Sequence, residues 1–242
     1  MKQSKWTILS NQPVAWHTFQ MVLQGDTAGI RPGQFVEIAL PNHFLRRPIS
    51  VCDIENSRLT LIYKVVGEGT AAMAQMPEGA ELDILTCLGN GYDLQKASDE
   101  VLLVGGGVGV PPLIYAAKHL RKMGKHVRVV MGFNSAREVF AEETFKALGC
   151  QVDICTMDGS YGVKGVATDL IAAPAPFFYA CGPLPMLKNL ILKIGTRGEL
   201  SMEERMGCGV GICVGCSIPT TQGVKRVCKE GPVFNAEEVI WK

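Results

Sequence analysis

The 242-residue chain reads as a β plus α/β protein: an antiparallel β-barrel or sandwich over residues 1–97, a parallel α/β unit over 98–198 and a cysteine-bearing segment over 199–242. Three observations predict this. The first part is filled by short, mostly alternating apolar segments with turn formers between them. After Gly89-Asn90-Gly91 and the polar stretch 95–100, strand-like and helix-like segments alternate instead, which is the pattern of βαβ units. Near the end, Cys208, Cys213 and Cys216 stand at C-x4-C-x2-C spacing, and Cys228 follows after eleven intervening residues.

The six barrel strands are expected at Trp6 to Leu9, Phe19 to Leu23, Phe35 to Leu40, Ile49 to Ile54, Leu59 to Val66 and Leu82 to Leu85. Gly25-Asp26, Arg31-Pro32-Gly33 and Pro77-Glu78-Gly79 supply turns between them. Only Thr70 to Met76, rich in Ala and Met, has helical character in this part. In the second unit, strands are expected at 100–104, 127–131, 152–156 and 177–180, and helices at 111–123, 142–148, 167–172 and 183–194. Alternation of this kind builds a parallel sheet with right-handed crossovers.

Composition narrows the function classes. The net charge is +1 and no basic block stands out, so a nucleic-acid binder, which needs concentrated Lys and Arg, is not expected. No apolar run approaches the roughly 20 residues a bilayer-spanning helix needs. The first six residues lack a signal-peptide core, and nine cysteines, an odd number, make a poor disulfide framework. The expectation is a soluble protein of the reducing cytoplasm.

The cysteine spacing is the plant-type arrangement for a 2Fe-2S cluster held by four thiolates. The chain must curl tightly around such a cluster. Gly207, Gly209, Gly211 and Gly215 permit that, leaving N–H groups free to point at the sulfurs. A structural zinc site is the alternative, but it usually pairs two short cysteine knuckles, and only one short pair exists here.

Two further features accompany the expected parallel sheet. Its first strand runs into Gly105-Gly106-Gly107-Val108-Gly109, with Pro111 opening the next helix. Free N–H groups in such a turn suit a pyrophosphate, although a tight turn alone would look the same; Val110 stands where the dinucleotide fingerprint needs its third glycine. Cys181-Gly182-Pro183 follows the last parallel strand, at the edge where open α/β sheets bind ligands, so Cys181 is a candidate to lie beside a nicotinamide. In the barrel, Arg47-Pro48-Ile49-Ser50, Ile62-Tyr63-Lys64 and Gly69-Thr70 offer a cation, an aromatic plane and polar hydrogens for a flavin.

Together these motifs resemble the ferredoxin reductase superfamily, and within it the electron-transfer subunits of type B dihydroorotate dehydrogenases. The resemblance spans nearly the whole chain. It implies that FAD is bound by Arg47, Pro48, Ile49, Ser50, Ile62, Tyr63, Lys64, Gly69 and Thr70, and that Cys208, Cys213, Cys216 and Cys228 hold the 2Fe-2S cluster. It also implies that NAD docks on the Gly105, Gly106, Gly107 and Gly109 turn with Cys181 near its nicotinamide. An FMN-containing catalytic subunit that oxidises dihydroorotate in pyrimidine synthesis is the implied partner, in a heterotetramer of two subunits of each kind. Two other functions stay open: an electron-transfer subunit for a hydrogenase or ferredoxin-dependent transhydrogenase, and a non-redox module whose cysteines bind zinc. Nucleotide choice is also open on the residues alone. Ser135 and Arg137 could meet a 2′-phosphate, whereas Glu138 would oppose one.

Overall fold

The structure, a computed structural model, describes residues 1–241. Strands β1 (Lys2–Ala15), β2 (Thr18–Gln24), β3 (Phe35–Ile38), β4 (Arg47–Glu55), β5 (Arg58–Lys64) and β6 (Glu81–Leu88) close into a barrel in the order β1-β2-β5-β4-β3-β6. Every neighbouring pair is antiparallel. Alternation explains the closure, because Trp6 and Ile8, Met21 and Leu23, Leu59, Leu61 and Tyr63, and Leu82 and Ile84 all turn into one core. Helix α1 (Glu68–Ala74) covers the barrel and buries Met73 in that core.

The second unit comprises β7 (Glu100–Gly106), α2 (Pro111–Lys122), β8 (His126–Phe133), α3 (Glu142–Ala147), β9 (Gln151–Thr156), β10 (Val163–Lys164), β11 (Phe177–Cys181), α4 (Leu184–Ile194) and β12 (Gly198–Ser201). The chain then forms a hairpin, β13 (Ser217–Thr220) and β14 (Gly223–Arg226), and a last strand, β15 (Val233–Asn235). The main sheet runs β10-β9-β8-β7-β11-β12-β15 and is parallel except for the β12–β15 pair. Strand order reverses between β7 and β11. At such a switch point the loops beyond the carboxyl ends diverge and leave a crevice.

One expected helix is absent. Residues 167–170 form a single 3₁₀ turn, in which the Asp169 carboxylate accepts from the Val166 N–H at 2.9 Å. Ile171 is already extended, and Pro174 and Pro176 beyond it cannot continue a helix. Strands β12 and β15 extend the sheet, so the chain after residue 198 both completes it and carries the four cysteines.

The barrel and the sheet are packed together. Tyr115 of α2 joins the barrel core, and Lys118 Nζ reaches the Asp53 carboxylate of β4 at 2.8 Å. Among the described residues no helix is long and apolar enough to cross a membrane.

Candidate cofactor and cluster site

A cavity of about 680 Å³ opens at the barrel surface. Arg47, Pro48, Ile49 and Ser50 of β4, Ile62, Tyr63 and Lys64 of β5, and Gly69 and Thr70 of α1 all line it. Cross-strand pairing is what gathers them, since β4 and β5 are neighbours and the chain enters α1 directly from β5. The Arg47 guanidinium lies against Gly69 so closely that an added Cβ would stand 2.0 Å from Nε. Only glycine admits that contact, which presents a cation on the cavity wall. Thr70 Oγ1 accepts the N–H groups of Val66 and Gly67, at 2.9 and 3.2 Å, and so shapes the turn.

Tyr63 differs from the aromatic plane expected for ligand stacking. It is 2% exposed, its ring stacks on Phe19 and its hydroxyl donates to Asn11 Oδ1 at 2.9 Å. Burial pushes its phenol up to about 12. The ring belongs to the barrel core and forms only part of the wall.

A second cavity, of about 370 Å³, lies where the barrel meets the carboxyl edge of the sheet. Gly106, Gly107, Val108 and Gly109 after β7, Cys181, Gly182 and Pro183 at the end of β11, and Ser201 to Glu204 after β12 form its sheet side. Gly107 takes a positive φ of 52° with open space around it. At Gly109 a Cβ would fall 2.3 Å from the Cys181 carbonyl oxygen, so the two loops can approach only because this residue is glycine. Gly105 lies deeper: a Cβ there would meet Val110 and Leu113, and the residue is absent from the cavity wall. Burial pushes the Cys181 thiol up to about 12, so it faces the cavity as a neutral S–H.

The two cavities share Pro48, Ser50, Lys64, Val108 and Glu203, and a molecule filling one touches the wall of the other. Lys64 Nζ stands 3.3 Å from the buried Glu138 carboxylate, whose other oxygen accepts from Asn134 Nδ2 at 2.8 Å. The Trp16 N–H donates to the Arg137 carbonyl at 2.9 Å, and the Arg137 guanidinium lies 3.6 Å from the Trp16 ring centroid. Arg137 is therefore turned onto the barrel, and Glu138 is the side chain that enters the cavity. Asn134, Ser201 to Glu204 and Met206 had no motif to announce them. Their common signal is position, since all follow parallel strands at the edge where ligands bind.

The cysteine loop begins two residues after Met206, which itself lines the second cavity. The loop rests on the barrel, where a Cβ at Gly209 would meet Glu37 Oε1 at 2.2 Å. Burial, opposed by Arg46 and reinforced by the Cys208 side chain, pushes the Glu37 carboxyl up to about 7. The N–H groups of Ile212 and Cys213 point at Cys208 Sγ at 3.2 and 3.4 Å, and the Cys228 N–H at Cys216 Sγ at 3.4 Å. Positive φ at Gly209, Gly211 and Val214 turns the backbone inward to do this. Against the cost of burial, these donors and Cys213 bring the Cys208 thiol down to about 6.

The thiols gather as two pairs, Cys208 with Cys213 and Cys216 with Cys228. Among the described residues no three ligand side chains converge as a single metal ion would require. Four thiols in one loop, with N–H donors aimed at sulfur, are a donor set that fits a 2Fe-2S cluster. All nine cysteines are free of disulfides.

Residues 203–240 match the family described as the iron-sulfur cluster binding domain of dihydroorotate dehydrogenase B. The chain is 44% identical over 255 aligned residues to the dihydroorotate dehydrogenase B (NAD(+)) electron transfer subunit of Bacillus pumilus, covering 99% of this chain and 98% of that one. It is 41% identical to the protein of the same name from Fusobacterium nucleatum, with 99% of each covered. A solved structure of the NADH-dependent reduced ferredoxin-NADP oxidoreductase superposes with a TM-score of 0.87 at 29% identity, over 98% of this chain and 90% of that one. Phthalate dioxygenase reductase shares the fold, with a TM-score of 0.69 at 17% identity over 90% and 87% of the two chains. This chain therefore belongs to the family of dihydroorotate dehydrogenase B electron-transfer subunits.

Proposed function

We propose that this chain carries electrons from an FMN-containing, dihydroorotate-oxidising catalytic subunit to NAD, serving pyrimidine synthesis in the cytoplasm as part of a complex of two subunits of each kind. The observation that carries this is the shared wall between the two cavities, with the four-cysteine loop starting two residues after Met206 of the second cavity. Bound FAD would supply conversion between two-electron and one-electron carriers, and the cluster would supply single-electron relay.

The chain's own residues have distinct tasks. Arg47 offers its cation to the FAD pyrophosphate, and the cleared space over Gly69 lets it stand there. Pro48 and Val108 form apolar surface on both cavities, holding a flavin ring and a nicotinamide against each other with water excluded. Gly107 and Gly109 let the backbone approach the NAD pyrophosphate, and neutral Cys181 packs at the edge of the nicotinamide. Glu138, aimed into the cavity and held by Lys64 and Asn134, disfavours the added charge of a 2′-phosphate, which supports NAD over NADP. Cys208, Cys213, Cys216 and Cys228 hold the cluster, and their N–H donors favour its reduced, more negative state.

Isolation of the tagged chain from its native cytosol without oxygen, followed by mass spectrometry and absorbance spectroscopy, tests the assignment. A stoichiometric FMN-type dihydroorotate dehydrogenase chain, with flavin and iron-sulfur absorbance, is expected. A hydrogenase or ferredoxin-linked chain in its place would keep the cofactors and overturn the substrate. A colourless zinc protein would overturn both.

A further inference from the structure

The wall shared by the cavities carries one carboxyl group, that of Glu203. It sits on the loop that leads from β12 to the cysteines and is exposed to solvent. The other acidic groups nearby reach only one cavity: Glu68 of α1 the barrel pocket, Glu138 and Glu204 the sheet pocket. Glu138 is moreover held by Lys64 and Asn134. Ser50 touches both cavities, but a hydroxyl can pass a proton without storing one.

Electron delivery one at a time creates a demand for such a group. FAD + 2 e⁻ + H⁺ gives FADH⁻, and FADH⁻ + NAD⁺ gives FAD + NADH. The electrons come from the catalytic subunit through the cluster, and the hydride leaves with the nicotinamide. One proton per cycle must therefore reach the flavin from solvent. We propose that Glu203 is the carboxyl that carries this proton from solvent to the flavin. The inference rests on FAD and NAD occupying the two cavities as proposed above.

Several groups set the field at this carboxyl. Arg47 from β4, Lys64 from β5 and Glu68 from α1 face it across the barrel pocket, Glu138 and Cys181 face it from the sheet, and Glu204 adjoins it. Desolvation against the cavity wall, reinforced by Glu204, raises the Glu203 carboxyl above its ordinary value.

The test uses the purified chain with its FAD and cluster, and the variants Glu203→Gln and Glu203→Asp. Flavin potentials are measured by redox titration from mildly acid to mildly alkaline pH. A reduced flavin anion raises the affinity of a neighbouring carboxyl for protons, so the wild type takes up more than one proton per two electrons in part of that range. Glu203→Gln lacks the part of that uptake which belongs to the carboxyl. After rapid reduction of the cluster, flavin reduction in Glu203→Gln slows about 100-fold, within the usual range for loss of a proton-transfer group, and Glu203→Asp recovers part of the rate. Equal proton uptake and equal rates in wild type and Glu203→Gln would overturn the proposal, as would loss of bound FAD from both variants, which would make Glu203 a binding residue. A wild-type chain that binds no FAD would instead overturn the cofactor assignment beneath it.

Discussion

Asn90 holds the cysteine segment against the barrel, and Asn90→Ala should loosen the cluster without touching a cysteine. The residue follows β6. Its Nδ2 donates to the carbonyls of Val233 and Glu230 at 2.7 and 3.0 Å, and its Oδ1 accepts the Val233 N–H at 3.1 Å. Alanine removes all three bonds but keeps the backbone bond from Asn90 N–H to the Gly231 carbonyl at 2.8 Å. Val233 is 3% exposed, so water replaces its two lost partners poorly, whereas the Glu230 carbonyl can be rehydrated. At about 1 kcal/mol for each poorly replaced bond, the segment loses about 2 kcal/mol of docking energy, a factor of about 30 in its local opening. With a urea dependence of about 2 kcal/mol per M, the midpoint for cluster loss falls by about 1 M. The assay is anaerobic urea titration followed by the iron-sulfur absorbance, with flavin fluorescence recorded in parallel. If the cluster of Asn90→Ala survives to the same urea concentration as wild type, these bonds do not hold the segment.

Gly69→Ala drives a methyl group into Arg47 and should weaken FAD at least 10-fold, about the worth of one charge-assisted hydrogen bond, while leaving cluster absorbance intact; flavin titration of the stripped protein measures it. Cys213→Ser removes an exposed thiol proposed as a ligand and should abolish or strongly weaken the iron-sulfur signal with FAD retained, and wild-type iron and sulfide content would exclude Cys213 as an essential ligand. The Cys181 thiol is raised to about 12 in the folded chain, so the native state binds a proton that the unfolded state gives up from about pH 9. Stability should therefore fall as pH rises above about 9, and less steeply in Cys181→Ala, as thermal melts across that range would show; parallel curves would mean the thiol is not held neutral by the fold.

Five of the barrel strands and the βαβ succession were legible because each is long enough to display its period, and the four-residue β3 because its apolar run follows the Arg31-Pro32-Gly33 turn. Strand β12, Gly198–Ser201, was not, since four residues after a helix show no period, and β15 is shorter still. Both owe their conformation to the neighbours they pair with. The helix expected at 167–172 had apolar content but too little length before Pro174.

The candidate site divides the same way. Contiguous motifs such as 47–50 and 62–64 converge because adjacent strands carry them. Glu138 meets Lys64, and Glu203 meets both cavities, only through the packing of barrel on sheet, which no local pattern encodes. Tyr63 shows the opposite limit. Its residue type suited ring stacking, but strand alternation directs it into the barrel core.

The most direct test of the electron path combines this chain, loaded with FAD and cluster, with the separately purified catalytic subunit, dihydroorotate and NAD, and follows orotate and NADH together. The account predicts equal amounts of the two products, formed only when both chains are present and lost with Cys213→Ser. NADH formation that persists undiminished after the cluster is lost would contradict it.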